Sequence, residues 1–305
     1  MFKLSAQQLA YPYPVQYFTI SIEGSDHKMA YMDVTSPKPN GEAVLLLHGK
    51  NFNGYYWGDV IAALIKEGYR VIVPDQVGWG NSDKPVVHYS FPLLASNTKK
   101  LLDTLGIKKV HVVAHSMGGM LATRFAVMYP NTVSKLVLEN PIGLEDYSLF
   151  VPYQSTDKLY ANERQTTYES LKKYQQSYYP VWKPEYEQYV QAQLDASLLG
   201  DKDTNALVSA LTYQMIYEQP VVYYFDKIKA PTLLLIGQED RTVVGKNMLN
   251  EEQKKQYGQY PTLGRKTKSA IKNATLIELA GVGHIPHIQA LDTYTNRLIA
   301  FLKRP

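Results

Sequence analysis

What most constrains this chain is a rhythm of short, unbroken Val, Leu and Ile runs, each followed by a stretch of helical spacing. AVLLLHG (Ala43–Gly49) precedes a helical pattern around Trp57–Glu67, and YRVIVPD (Tyr69–Asp75) precedes one around Phe91–Leu105. KVHVVAHS (Lys109–Ser116) leads into Met117–Tyr129, and VSKLVLEN (Val133–Asn140) follows. Runs that are apolar at every position suit strands buried on both faces, and strands separated by helices pair in parallel. The expected fold is therefore α/β: a mostly parallel β-sheet flanked by helices. The earlier stretch YFTISIEGSDHKMAYMDV alternates and carries a turn signal, which predicts an antiparallel hairpin at the sheet edge.

The rhythm breaks after Gly143. From Leu144 to Phe225 no strand-like run is followed by a helix, and 13 of the 25 tyrosines fall in these 82 of 305 residues. Strand patterns return in KAPTLLLIGQED (Lys229–Asp240) and ATLIELAGVGH (Ala274–His284), and a closing helix is expected over Ala290–Leu302. The chain thus divides into a core first part (1–143), an inserted helical cap (144–225) and a core second part (226–305).

Composition excludes several classes. The net charge is +4, with 32 basic against 28 acidic residues, and the longest basic stretch is GRKTK at Gly264–Lys268, so no nucleic-acid partner is expected. The absence of cysteine rules out thiol catalysis, thiolate metal sites and disulfides. No apolar run approaches the roughly 18–20 residues of a membrane span. The opening Met1–Pro14 lacks the apolar centre of a secretion signal, which leaves the compartment open: the cytoplasm, or the periplasm or medium if a leader was removed.

VVAHSMGGMLA (Val112–Ala122) sets a serine between a strand run and a helix run, with Ala114, Gly118 and Gly119 keeping the turn small. Taken alone, such a stretch is either a plain strand-to-helix turn or one that lifts the serine oxygen into a cleft, and alanine stands where G-x-S-x-G has its first glycine. A nucleophilic serine also needs a base, an acid to orient the base, and N–H donors for the oxyanion. LLLHGKNFNGYYW ends a strand at His48–Gly49, where a bend can present the Lys50 N–H, with the Met117 N–H as the second donor. LLLIGQEDRTV puts Asp240 at the strand edge that carries ligands in a parallel sheet, and AGVGHIPHI puts His284 in a glycine-rich loop after the last strand. The order Ser116, Asp240, His284 is the one this elbow requires.

Taken together, LLLHGKN, VIVPDQVGWGNSDKP, VVAHSMGGMLA, LVLENPIGLED, PTLLLIGQED and GVGHIPH resemble the α/β-hydrolase group that includes esterases, epoxide hydrolases and carbon–carbon bond hydrolases. The resemblance runs from about Tyr17 to the C-terminus and is weakest in the cap. It implies Ser116 as nucleophile, His284 as base, Asp240 as acid, and Lys50 and Met117 as the oxyanion hole. Epoxide hydrolases and haloalkane dehalogenases carry aspartate at the elbow, so serine implies acyl transfer to water, with no metal or organic cofactor. A small or medium-chain carboxylester is the expected substrate. The alternatives are carbon–carbon hydrolysis, a proline iminopeptidase, and a non-catalytic receptor or scaffold of the same fold.

Other residues carry blander expectations. His48 and His115 are expected to pack and hydrogen-bond, and His287 lacks a third ligand for a metal. Glu139 is the reserve acid, Glu239 is expected to face away from His284, and Asp75 to shape its turn. The cap tyrosines, with Trp182 and Phe150, are candidates to line an apolar cleft, but packing is the expected role for any single one. The cap shows no cationic cluster, which disfavours strongly acidic substrates. An iminopeptidase would need cap carboxylates for a free amine, with Glu145, Asp146, Glu163 and Glu185 as candidates. Gly245–Leu263 makes a long connection, either a surface insertion or a flap beside the site.

Overall fold

A computed structural model describes residues 11–304; the part of the N-terminal reading that concerns residues 1–10 lies outside them. In chain order its strands are β1 (Val15–Ile22), β2 (Ser25–Val34), β3 (Ala43–Leu47), β4 (Arg70–Pro74), β5 (Val110–His115), β6 (Val133–Glu139), β7 (Thr232–Gly237) and β8 (Ala274–Leu279). They form one sheet in the order β1-β2-β4-β3-β5-β6-β7-β8. The β1–β2 hairpin is antiparallel at one edge, as its alternation predicts, and β2 joins β4 antiparallel while the other neighbours are parallel.

Burial on both faces explains the unbroken apolar runs. Leu45 and Leu47 of β3 point into one core and Val44 and Leu46 into the other, and all four are inaccessible to solvent. The helices α2 (Phe91–Thr104) and α3 (Met117–Met128) cover the first face through Leu94, Leu101, Leu121 and Phe125. On the second, α1 (Gly58–Lys66) and the closing α10 (Leu291–Leu302) contribute Ile61, Leu64, Leu298 and Phe301. Local chemistry sets the starts: Ser90 caps α2 by accepting from the Leu93 N–H, and Pro92 sits in its first turn, where its missing N–H costs nothing.

Between β6 and β7 the chain runs through α4 (Thr156–Glu163), α5 (Tyr168–Gln176), α6 (Glu187–Leu198) and α7 (Lys202–Glu218), with no strand among them. Much of its aromatic content packs rather than lines a cleft. Tyr179 and Tyr186 stack at 4.0 Å with Trp182 against their edges, and Phe150 stacks on Tyr257 at 3.6 Å.

The connection over Gly245–Leu263 is not a loose flap. It holds α8 (Glu251–Gln256) and the start of α9 (Tyr260–Ala270), and it braces the exit from β6. Glu145 accepts from the Gly258 N–H at 2.9 Å, and Tyr260 donates to the Pro141 carbonyl at 3.0 Å.

Candidate active site

Ser116 occupies the turn between β5 and α3 with φ +55° and ψ −121°, a region an L-residue seldom adopts. It is the N-cap of α3, yet its hydroxyl makes no capping bond and is left for another partner. The turn is tight enough that a Cβ on Gly118 would lie 2.3 Å from the Leu47 carbonyl oxygen, and one on Gly119 would lie 2.4 Å from Pro141. Ala114 is fully buried in β5, so the missing first glycine of the motif is accommodated without exposure.

The structure brings Ser116, His284 and Asp240 into one line. Ser116 Oγ lies 3.0 Å from His284 Nε2, and His284 Nδ1 donates to Asp240 Oδ2 at 2.6 Å. All three side chains are buried. Burial alone would raise the Asp240 carboxyl. The attraction of His284 and hydrogen bonds from His284, Asn140 and Thr242 outweigh it and hold the group below its ordinary value. Glu239 is exposed, as strand alternation predicts.

The loop after β3 lies directly against the serine: a Cβ on Gly49 would sit 3.1 Å from Ser116 Cβ. Among the described residues, neither the Lys50 nor the Met117 backbone N–H has a hydrogen-bond partner. Trp79 anchors this loop by donating to the Lys50 carbonyl at 2.7 Å, and the Lys50 ammonium reaches Ser209 of α7 at 3.0 Å.

His48 and His115 pack and hydrogen-bond, as expected. His48 donates from Nδ1 to the Gly49 carbonyl and accepts from the Gln76 N–H, and burial lowers its pKa. His115 donates from Nε2 to the His284 carbonyl and accepts from Tyr56, which itself accepts from the Gly49 N–H. Burial first, then His284 and His287, hold His115 well below the ordinary imidazole value. Glu139 is not placed as a reserve acid: it accepts both the backbone and ring N–H of His287, each at 2.8 Å. Asp75 shapes its turn through the Gly54 and Asn81 N–H groups.

Sequence reasoning missed Asn140 and Tyr178. Asn140, with φ +36°, donates to Asp240 Oδ2 at 2.7 Å and accepts from the Gly237 N–H at 2.8 Å, so it ties the end of β6 to β7 and to the aspartate. Its place at the ligand-bearing edge of a strand was the available signal. Tyr178 carried none, because only the packing of the inserted segment brings it to His284.

A cavity of about 200 Å³ opens between the core and the inserted segment; Lys50 lines it, and none of Ser116, Met117, Asp240 and His284 does. Its aromatic lining is Phe52 and Trp79 from core loops; none of the segment's tyrosines, nor Trp182 or Phe150, lines it. Lys50, Lys84 and Lys202 line it too, and none of the three is in an ion pair among the described residues. The charge absent from a reading of the cap alone therefore comes mainly from core loops. Of the four candidate carboxylates only Glu163 lines the cavity.

Comparison with known proteins matches the family model described as alpha/beta hydrolase fold over residues 42–291. The chain belongs to that family. It is 34% identical, over 95% of its length and 96% of the relative's, to a 2-hydroxy-6-oxononadienedioate/2-hydroxy-6-oxononatrienedioate hydrolase of Burkholderia vietnamiensis. A 2-hydroxy-6-oxo-6-phenylhexa-2,4-dienoate hydrolase of Comamonas testosteroni is 30% identical over 67% of this chain and 73% of that one. Among solved structures, a probable hydrolytic enzyme of Pseudomonas aeruginosa PAO1 superposes with a TM-score of 0.94 at 45% identity, covering 97% of this chain and 96% of that one. No helix among the described residues is long and apolar enough to cross a membrane.

Proposed function

We propose that this α/β-hydrolase is a serine hydrolase that cleaves a small or medium-chain carboxylester through an acyl-enzyme, with residues 144–225 as its cap. The observation that carries the reading is the buried line from Ser116 through His284 to Asp240, at 3.0 and 2.6 Å, on a strained turn. His284 takes the Ser116 proton as Oγ attacks the carbonyl, and Asp240 fixes the imidazole with its proton on Nδ1 and stabilises the imidazolium. The unpartnered N–H groups of Lys50 and Met117 receive the oxyanion. The alcohol leaves with the proton from His284, and water then releases the acid.

Carbon–carbon hydrolysis is the second reading. It is favoured by the relatives named for cleaving dienoates and dienedioates, and by three lysines of the cavity lining that are in no ion pair among the described residues, which suit a substrate carboxylate. The same lysines disfavour the free amine of a peptide substrate.

The test is hydrolysis of p-nitrophenyl esters of rising acyl length, beside a 2-hydroxy-6-oxohexadienoate, by the parent and by Ser116→Ala. Ester turnover lost in Ser116→Ala supports the first reading, and its persistence sinks the serine. Turnover of the dienoate alone transfers the reading to carbon–carbon cleavage. A folded protein inert to both points to the binding role.

A further inference from the structure

Tyr178 follows α5 in the inserted segment and is buried against the core. Its ring lies on the His284 imidazole, with centroids 4.7 Å apart and planes 29° apart. Its carbonyl accepts the His284 backbone N–H at 2.8 Å, and its hydroxyl accepts from Asn51 Nδ2 at 2.8 Å. The contact with the histidine loop is close, since a Cβ on Gly283 would meet the Tyr178 carbonyl oxygen at 2.2 Å. One residue of the segment thus touches the base and the residue next to Lys50.

Burial first, then the adjacent Tyr174, raises the Tyr178 phenol well above its usual range, so at working pH it stays neutral, a fixed acceptor for Asn51. Its two attachments have different chemistry. The hydrogen bond fixes the Lys50–Asn51 turn, whose N–H must point at the oxyanion. The ring restricts rotation of His284, and its face stabilises the imidazolium that forms during attack. Neither contact is made with Ser116, so both act through His284 and the Lys50–Asn51 turn.

We infer that Tyr178 is a positioning residue that aligns His284 and the Lys50–Asn51 turn together, so that the reactive site is complete only with residues 144–225 seated. This rests on the reading of Ser116 as nucleophile.

The test needs no knowledge of the natural substrate. Diisopropyl fluorophosphate phosphorylates a reactive serine: Oγ bonds to phosphorus, fluoride leaves, and His284 takes the hydroxyl proton. The maximal labelling rate reports alignment, half-saturation reports probe binding, and intact mass reports the adduct. Tyr178→Phe and Asn51→Ala break the same hydrogen bond from opposite ends, so each should lower the maximal rate about fivefold with half-saturation unchanged. The double variant should also lose about fivefold rather than about 25-fold, because the bond can be lost only once. Tyr178→Leu, which removes the ring as well, should lose several times more. Melting temperatures within about 2 °C of the parent separate alignment from general loosening.

Multiplying effects, or single variants labelled at the parent rate, overturn the inference. A Tyr178→Leu variant no slower than Tyr178→Phe overturns the role of the ring. Should the Tyr178 variants fail to fold, Asn51→Ala alone must lower the rate, or the inference falls. Failure of the underlying reading looks different: the parent is then unlabelled, or Ser116→Ala is labelled as fast as the parent.

Discussion

Ser116 combines a φ of +55° with a hydroxyl that caps nothing, so its side chain does nothing to offset the backbone strain. A residue held in a sparsely populated region costs roughly 1–3 kcal/mol, and glycine relieves most of that. Ser116→Gly should therefore be more stable than Ser116→Ala by about 1 kcal/mol in denaturant melts, while neither is labelled by fluorophosphate. Equal stability would mean the turn carries no strain. Ser116, His284 and Asp240 were legible in the sequence because each ends or follows a strand run at the sheet edge that carries ligands. Asn140 was not, since its signal is only a position beyond Glu139, and what it binds is decided by the pairing of β6 with β7.

At the scale of elements, buried polar contacts join the ends of β3 and β5 to the histidine loop after β8. The chain of contacts from Gly49 through Tyr56 and His115 to the His284 carbonyl requires His115 neutral, with its proton on Nε2. Burial lowers the pKa of both His115 and His48 from the ordinary 6.5. As pH falls below 6.5, the unfolded chain takes up protons that the folded chain refuses. Stability should therefore fall, by up to roughly 1.4 kcal/mol per pH unit for each group, until the folded-state values are reached. Melts between pH 7.5 and 5 should show that slope, and His115→Asn should be flatter than the parent. A parent whose stability does not change over that range would contradict neutral burial. His287 belongs to the same layer but sits in a pair with Glu139, an arrangement that its spacing from His284 did not suggest.

At the scale of the whole molecule, the cavity between core and inserted segment holds three lysines against one carboxylate. If charge selects the substrate, Lys50→Met with Lys84→Met should raise KM for a monosuccinate aryl ester about tenfold and leave the neutral acetate ester unchanged. Added salt should weaken succinate binding by the parent and have little effect on the double variant. Equal effects on the two esters would remove the electrostatic selection. The order of strands and helices, the edge hairpin and the elbow serine with its two partners were set by local sequence. Apolar periodicity and turn chemistry are short-range properties, and the chain order of the three residues is itself sequence. The cavity lining, the coupling of Asn140 to Asp240 and the contact of Tyr178 with His284 were decided only by tertiary structure. They depend on which surfaces meet when the segment between β6 and β7 packs back on the sheet edge. That contact joins residues more than a hundred positions apart, and its choice of Lys50, Phe52 and Trp79 over the segment's tyrosines is a matter of packing that no local pattern encodes.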